Sequence, residues 1–299
     1  MRVLYQVDSF TSTPFTGNPA GVVLAAEGMT DAEMLAVAAE LNNSETAFVL
    51  PADGLDHDVR IRFFTPTTEV PTCGHATIAA HFARAIEYGL PAGSLVQKTG
   101  SGLLQQVEIH RDGDRISIGL HQGVASFGPE LNTSQVDRLL HALGAGRHDL
   151  ADGGPVQIVS TGHSKVLLEL RSRAVVDGLR PDLVALTALS QEIGSNGYFV
   201  FTRSTGDAEL LTWSRMFAPA IGIPEDPVTG NGHGPLGAYL VRHGLVPASG
   251  GTLTFTGRQG SAIGRPGDVQ VTIEVRPDNE LLASITGNAT TAFRATLHI

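Results

Sequence analysis

Cysteine is all but missing from this chain. Cys73 is the single one, so no internal disulfide can form and no multi-cysteine zinc site can be built. Charge is sparse too: 17% of residues are charged, and acids outnumber bases for a formal charge of −10 and a pI near 5.5. No basic stripe appears, which argues against a nucleic-acid partner. No apolar run approaches the ~18 residues that a membrane-spanning helix needs. The start, Met1-Arg2-Val3-Leu4-Tyr5-Gln6-Val7-Asp8, lacks the basic-then-apolar pattern of a secretory leader. A cytoplasmic protein with neither nucleic-acid nor membrane partners is the expectation. The eleven histidines are scattered and form no His-Glu-x-x-His pair, so no metal site is expected.

What the chain does have is an internal repeat. Glu40-Leu41-Asn42-Asn43-Ser44-Glu45-Thr46-Ala47-Phe48-Val49 returns as Glu192-Ile193-Gly194-Ser195-Asn196-Gly197-Tyr198-Phe199-Val200. Phe64-Thr65-Pro66 returns as Phe217-Ala218-Pro219. Cys73-Gly74-His75-Ala76-Thr77 opens a small-residue run that ends Tyr88-Gly89-Leu90, and Thr229-Gly230-Asn231-Gly232-His233 opens one that ends His243-Gly244-Leu245. With 299 residues and 42% apolar content, the chain suffices for about two domains with real cores. Two similar lobes enclosing a cleft are expected: residues 1–122, completed by 288–299 if the tail returns, and residues 123–287. Gly123 to Pro129 is expected to be the crossover between them.

Periodicity and caps place the elements. Val3–Phe10 and Ala20–Ala25 are expected strands, joined by a loop containing Gly17-Asn18-Pro19. Thr30 with Glu33 makes a capping box for a helix through Leu41. Strands follow at Glu45–Leu50 and Val59–Phe64. The helix from about Gly74 to Tyr88 is small and apolar nearly all round, the pattern of a helix buried inside a sheet. Arg111-Asp112-Gly113-Asp114 is a hairpin turn signal. The second lobe is expected to hold helices at Gln135–Leu143, Leu183–Ile193 and Gly232–Arg242. Its strands are expected at Val156–Thr161, Lys165–Leu170, Tyr198–Thr202, Glu209–Phe217, Val269–Val275 and Leu281–Thr286. Ala292–Ile299 is a last strand. The fold class is therefore α+β.

The repeats differ where chemistry would sit. Glu45 has Gly197 as its counterpart, so one carboxyl serves a pocket built from both halves. A carboxyl at a strand start beside a cleft can be partly desolvated and so tuned for acid/base work; an exposed loop carboxylate is the bland alternative. Gly74 and Gly230 leave helix N-terminal N–H groups uncovered, which suits a carboxylate ligand, though glycine also simply permits close packing. Cys73 precedes a helix, where a thiol can become reactive, yet a lone cysteine also fills space as a small hydrophobe. Because Thr229 replaces its repeat, a racemase with two opposed thiols is impossible. His75 is of the residue type suited to exchanging protons, though a lone histidine is more often a satisfied structural one. Asp226 can cap the second helix or relay a proton with His75. Gly232-His233-Gly234-Pro235-Leu236-Gly237 matches a dinucleotide-binding glycine pattern, but no βαβ unit surrounds it.

Taken together, these residues resemble one family. Asp8-Ser9-Phe10, Phe15 to Ala20, Asn43 to Phe48, Phe64-Thr65-Pro66, Glu69-Val70-Pro71 and Cys73 to Thr77 carry the likeness in the first half. Arg215 to Pro219, Glu225 to Asn231, and Gln259 to Pro266 carry it in the second. This is the pattern of PhzF-like proteins, the phenazine-biosynthesis isomerases. The resemblance implies the diaminopimelate-epimerase-like fold: two pseudo-symmetric lobes, each a mixed sheet rolled around a central helix, with the active site in the cleft between them. It also implies a homodimer and isomerisation without a cofactor, as the founding enzyme treats trans-2,3-dihydro-3-hydroxyanthranilate. By that likeness Glu45 shuttles a proton, with His75 and Asp226 assisting. Asn18, Ser44, Cys73, Gly74, Gly230 and Asn231 line the substrate pocket. Asn231 stands where the founding enzyme has serine, and Cys73 replaces a small non-thiol residue; these departures touch the pocket and leave the proton shuttle intact, so the resemblance implies a small carboxylate-bearing substrate without fixing which one. The alternatives are an epimerase using Glu45 and Cys73 as unlike bases, and a non-catalytic small-molecule binding protein.

Overall fold

A computed structural model describes residues Met1–Ile299. The chain divides into two compact units, Met1–His121 with Thr286–Ile299, and Gln122–Ile285. The first carries strands β1 (Arg2–Ser9), β2 (Asn18–Leu24), β3 (Thr46–Pro51), β4 (Val59–Phe64), β5 (Glu69–Val70), β6 (Gly93–Thr99), β7 (Leu104–Asp112) and β8 (Arg115–Val124), with helices α1 (Asp31–Leu41) and α2 (Gly74–Glu87). The second carries β9 (Ser126–Glu130), β10 (Gln157–Ser160), β11 (Ser164–Glu169), β12 (Tyr198–Thr202), β13 (Thr212–Ala218), β14 (Ile223–Asp226), β15 (Thr252–Gln259) and β16 (Gly267–Val275). Its helices are α3 (Thr133–Leu143), α4 (Arg173–Gly178), α5 (Leu183–Ile193) and α6 (Gly230–Arg242). Two strands span the division: β8 begins in the first unit and ends in the second, and the long β17 (Leu281–Leu297) begins in the second and ends in the first.

The repeat in sequence is a repeat in topology. In the first unit β1–β2 is antiparallel, β2–β3 parallel, β3–β4 antiparallel, β4–β6 parallel and β6–β7 antiparallel. The second unit runs the same series through β10, β11, β12, β13, β15 and β16. Each parallel step needs a crossover connection, and helices supply it: α1 and α5 join the first such pair in each unit, α2 and α6 the second. In the first unit β17 pairs with β1, and β8 pairs with β17, closing the strands into a barrel.

Local sequence accounts for the helices. Thr30 and Glu33 form the reciprocal capping box of α1, with the Thr30 N–H donating to Glu33 Oε2 at 2.7 Å. Asn42 ends it in the left-handed region at φ 53, a conformation asparagine tolerates. The apolar face of α1, Met34, Val37 and Ala38, packs with Val23, Phe48 and Phe64. Helix α2 is buried at eleven of its 14 residues, as its small, all-round apolar surface requires. Helix α6 is likewise buried at Gly230 and at Gly232 through Leu240. A Cβ on Gly232 would lie 2.2 Å from the Phe199 ring, so this position admits only glycine at that spacing. In the second unit Leu139, Leu143, Leu168, Leu186, Leu189, Tyr198 and Phe217 form the core beneath α3 and α5.

Several boundaries differ from expectation. Within the expected crossover, residues 123–129, the chain is strand: β8 continues to Val124 and β9 follows at once, pairing with β10 through Phe127↔Val159 and Glu130↔Gln157. Backbone pairing needs no apolar alternation, and this stretch has little. The strand expected from Glu209 starts at Thr212, because Asp207 holds a turn whose Glu209 N–H donates to its carboxylate at 3.0 Å. The tail is not a separate strand but the continuation of β17. Helix α6 starts two residues early, and Pro235 lies inside it, so the glycine pattern there is helix packing rather than a phosphate loop. Strands β5, β6, β14 and β15 and helix α4 were not foreseen, although Leu253 and Phe255 alternating with threonines marked β15. No helix is long and apolar enough to cross a membrane.

Candidate active site

The same device sets the start of both buried helices. Arg62 on β4 grips Glu69 on β5 in a two-pronged pair, Nε to Oε1 at 2.9 Å and Nη2 to Oε2 at 2.6 Å. Arg215 on β13 grips Glu225 on β14 likewise, at 2.9 and 2.8 Å. Each guanidinium also lies over the phenylalanine two residues on, Phe64 at 5.0 Å and Phe217 at 4.9 Å. Such forks fix direction as well as distance. They anchor the short return strand from which the chain turns into the helix, and therefore the residues at that turn.

In the first unit the turn carries Cys73, Gly74 and His75. His75 is held by its backbone, whose carbonyl accepts from the buried Ser9 hydroxyl at 2.8 Å. Its ring touches three other groups. Nδ1 lies 3.4 Å from Cys73 Sγ, and Nε2 lies 3.3 Å from Ser44 Oγ and 3.5 Å from Glu45 Oε2. A neutral imidazole carries one N–H, so it donates toward either the thiol or the Ser44–Glu45 side and accepts on the other. Protonated, it donates to both.

Glu45 reaches His75 from the end of α1. Past the left-handed Asn42, the Asn43 amide exchanges two hydrogen bonds with Gln6, both 2.9 Å. Those bonds hold the loop, and Thr46 then enters β3 opposite Gly21. A Cβ at Gly21 would lie 2.6 Å from Leu41 and 2.9 Å from the Thr46 hydroxyl, so the strand approaches closely only because glycine stands there. The Glu45 side chain is 14% exposed. Its Oε2 is buried with no hydrogen-bond partner. A buried polar oxygen without a hydrogen bond calls for an explanation, and a catalytic role is one. Asn18 is buried at the start of β2, opposite Ser9.

Asp226, Gly230 and Asn231 belong to the second unit. Asp226 ends β14, 8% exposed. The Thr229 hydroxyl donates to its carboxylate. Gln259 braces both residues, donating to the Asp226 carbonyl at 2.7 Å and to Thr229 Oγ1 at 3.1 Å while accepting the Thr229 N–H at 3.0 Å. Gly230 is the first residue of α6. Asn231 Oδ1 accepts from Gln122 at 3.3 Å.

The fold assembles one cluster that spacing alone did not reveal. Ligand atoms of Glu45, Cys73 and His75 all lie within 4.8 Å of one another. Carboxylate, thiolate and imidazole are zinc donors. The two nitrogens of His75 face different neighbours, however, so an ion taking one nitrogen would displace either the thiol contact or the carboxylate contact. Sequence reasoning also passed over Lys165, which is 4% exposed.

The family and the named relatives of this chain make it an isomerase. A model of the phenazine biosynthesis-like proteins (PhzC-PhzF) matches residues 7–295, and the chain belongs to that family. It is 48% identical over 294 residues to an uncharacterized isomerase of Clostridium acetobutylicum, covering 98% of this chain and 97% of that one. It is 31% identical over 293 residues to the trans-2,3-dihydro-3-hydroxyanthranilate isomerase of Pseudomonas chlororaphis, covering 97% of each. The crystal structure of the PhzF-family phenazine biosynthesis protein of Bacillus anthracis superposes with a TM-score of 0.90 at 28% identity, over 100% of this chain and 99% of that one.

Proposed function

We propose that this isomerase works without a cofactor, Glu45 taking a proton from a small carboxylate-bearing substrate and returning it to another atom of the same molecule. The observation that carries the reading is the buried Glu45 Oε2, which lacks a hydrogen-bond partner and has His75 Nε2 at 3.5 Å. A base must keep a lone pair available for the reacting proton, and a neighbouring imidazole can steady its charge as the proton leaves and returns. Ser44 and Cys73 then set the orientation of His75. Asp226, Gly230 and Asn231 serve the same substrate in this proposal, Asn18 and Gly74 complete the pocket, and the enzyme works as a cytoplasmic homodimer. The relative that acts on trans-2,3-dihydro-3-hydroxyanthranilate supports a cyclic carboxylate as the substrate class. Cys73 and Asn231 argue for a different member of that class.

An epimerase using Glu45 and Cys73 is the second reading, favoured by their meeting at one imidazole. Two bases on opposite faces of a carbon must each reach about 3 Å to the proton they handle, which asks for more separation than the 4.8 Å within which these atoms lie. The test is deuterium uptake from D2O into a panel of cyclic and amino-acid-like carboxylates, with Glu45→Gln and Cys73→Ala alongside. Turnover surviving in Glu45→Gln would sink the proton-shuttle assignment. Loss of turnover in Cys73→Ala would move the assignment to the epimerase, and tight carboxylate binding without turnover to a binding protein.

A further inference from the structure

The chain holds only two lysines, Lys98 and Lys165. Lys98 lies near the surface, with Asp53 at 3.0 Å. Lys165 is 4% exposed. Its Nζ makes one hydrogen bond, to the Ser164 carbonyl at 3.2 Å, and no ion pair. An ammonium has three donors, and burying it without acceptors is costly. Burial pulls its pKa down to about 8, against the opposing pull of the Asp226 carboxylate.

Its position explains why it is there. The pairing Val166↔Tyr198 in β11–β12 matches Gly21↔Thr46 in β2–β3. Lys165 therefore corresponds to Ala20, and Gly197 to Glu45. A Cβ on Gly197 would lie 3.0 Å from Lys165 Cδ and 3.4 Å from its Cε. The lysine stem fills the space where a glutamate side chain at position 197 would start. So the second unit has not simply lost the carboxylate of the first. The Lys165 stem and Met216 Cε, 2.9 Å from that Cβ position, both pack there, and glycine at 197 is what makes room for them.

We propose that Lys165 is a binding group for a small carboxylate. Two of its N–H donors await an acceptor, and a carboxylate supplies one with the charge to match. The proposal rests on the reading of the substrate as a small carboxylate. It does not depend on Glu45 being the base.

The experiment is an NMR titration of the whole protein labelled with 13C-lysine. Two ε-methylene signals result, Lys98 serving as the internal reference. The probes are acetate, 2-aminobenzoate and its neutral analogue 2-aminobenzamide. Both carboxylates should raise the titration midpoint of Lys165, since an anion favours the charged amine. The amide should leave it in place, and Lys98 should not move. Lys165→Met should weaken 2-aminobenzoate binding by about 30-fold and change amide binding by less than about 3-fold. Should that variant not fold, the wild-type titration stands alone, with Gly197→Ala, which crowds the stem, expected to blunt it. A Lys165 midpoint unmoved by saturating acetate and by 2-aminobenzoate overturns the proposal, as does Lys165→Met binding 2-aminobenzoate like wild type. Glu45→Gln should keep the midpoint shift even if it also keeps turnover, so failure of the base assignment is seen separately.

Discussion

Comparing the two units position by position separates what was duplicated from what diverged. The frame is the same in both: the order of parallel and antiparallel pairings, the Arg–Glu fork, the aromatic under the guanidinium and the buried helix. Even the first helical turn is braced alike. Thr77 donates to the Cys73 carbonyl at 2.7 Å, and His233 Nδ1 lies 3.0 Å from the Thr229 carbonyl, the same backbone position. The polar groups around that frame do not match. Glu45, Val70, Cys73 and His75 correspond to Gly197, Asp226, Thr229 and Asn231, and Ala20 corresponds to Lys165. One unit keeps a carboxylate, a thiol and an imidazole at one helix start. The other keeps a carboxylate and a buried ammonium near its own. Duplication preserved what holds a helix N-terminus in place and left the surrounding side chains able to specialise.

Five substitutions and a pH series test that contrast. The largest effect belongs to Glu45→Gln, which should lower deuterium uptake about 1000-fold while leaving 2-aminobenzoate affinity within about 3-fold. Next come the matched forks. Arg215 is 6% exposed and also donates to the carbonyls of Val176 and Leu179, so Arg215→Ala should cost about 3–5 kcal/mol in chemical unfolding. Arg62→Ala, whose second partner Asp31 is exposed, should cost distinctly less. Equal losses would mean the two forks carry equal weight after all.

Acid should then discriminate the helices through their buried histidines. Burial holds His81 down to about 3 and His233 down to about 4. Both are neutral in the folded state, and the unfolded chain takes up the protons first. The stability they permit is complete above the usual histidine value near 6.5 and falls as pH drops from there toward 3–4. The loss is about 1.4 kcal/mol per pH unit for each group. Thr77 can accept or donate as His233 does, so His233→Thr should flatten part of that slope in pH-dependent unfolding, and an unchanged slope would remove His233 from the account. The smallest effect is that of Cys73→Ala, which should lower turnover less than about 10-fold, because in the proposed reaction Glu45 and not the thiol handles the proton.

Much of the frame was legible in the primary structure. The Thr30–Glu33 capping box placed α1. The small-residue runs after Cys73 and Thr229 marked two helices that must be buried, since no surface helix survives with so little polar face. The likeness to PhzF proteins named the fold. The strands that escaped notice are short or polar: Glu69–Val70 is two residues long, and Gly93–Thr99 carries a buried Gln97 where an apolar side chain would have been the signal. Gln97 is satisfied by His81 at 2.8 Å, a pairing between a helix and a strand that no local pattern displays.

The amino-acid sequence by itself determined the duplication, the two buried helices, the capping of α1 and the asymmetry between Glu45 and Gly197. These depend on residue type, on spacing along one element, or on comparison of one stretch with another. Tertiary structure decided which side chains meet. That His75 touches Cys73, Ser44 and Glu45 at once depends on the loop after α1 and the start of α2 being brought side by side. That Lys165 fills the space above Gly197 depends on the register of β11 against β12. A shift of one residue in that register would send every side chain of the strand to the other face. Register is settled by packing over the whole sheet, so only the folded chain contains it.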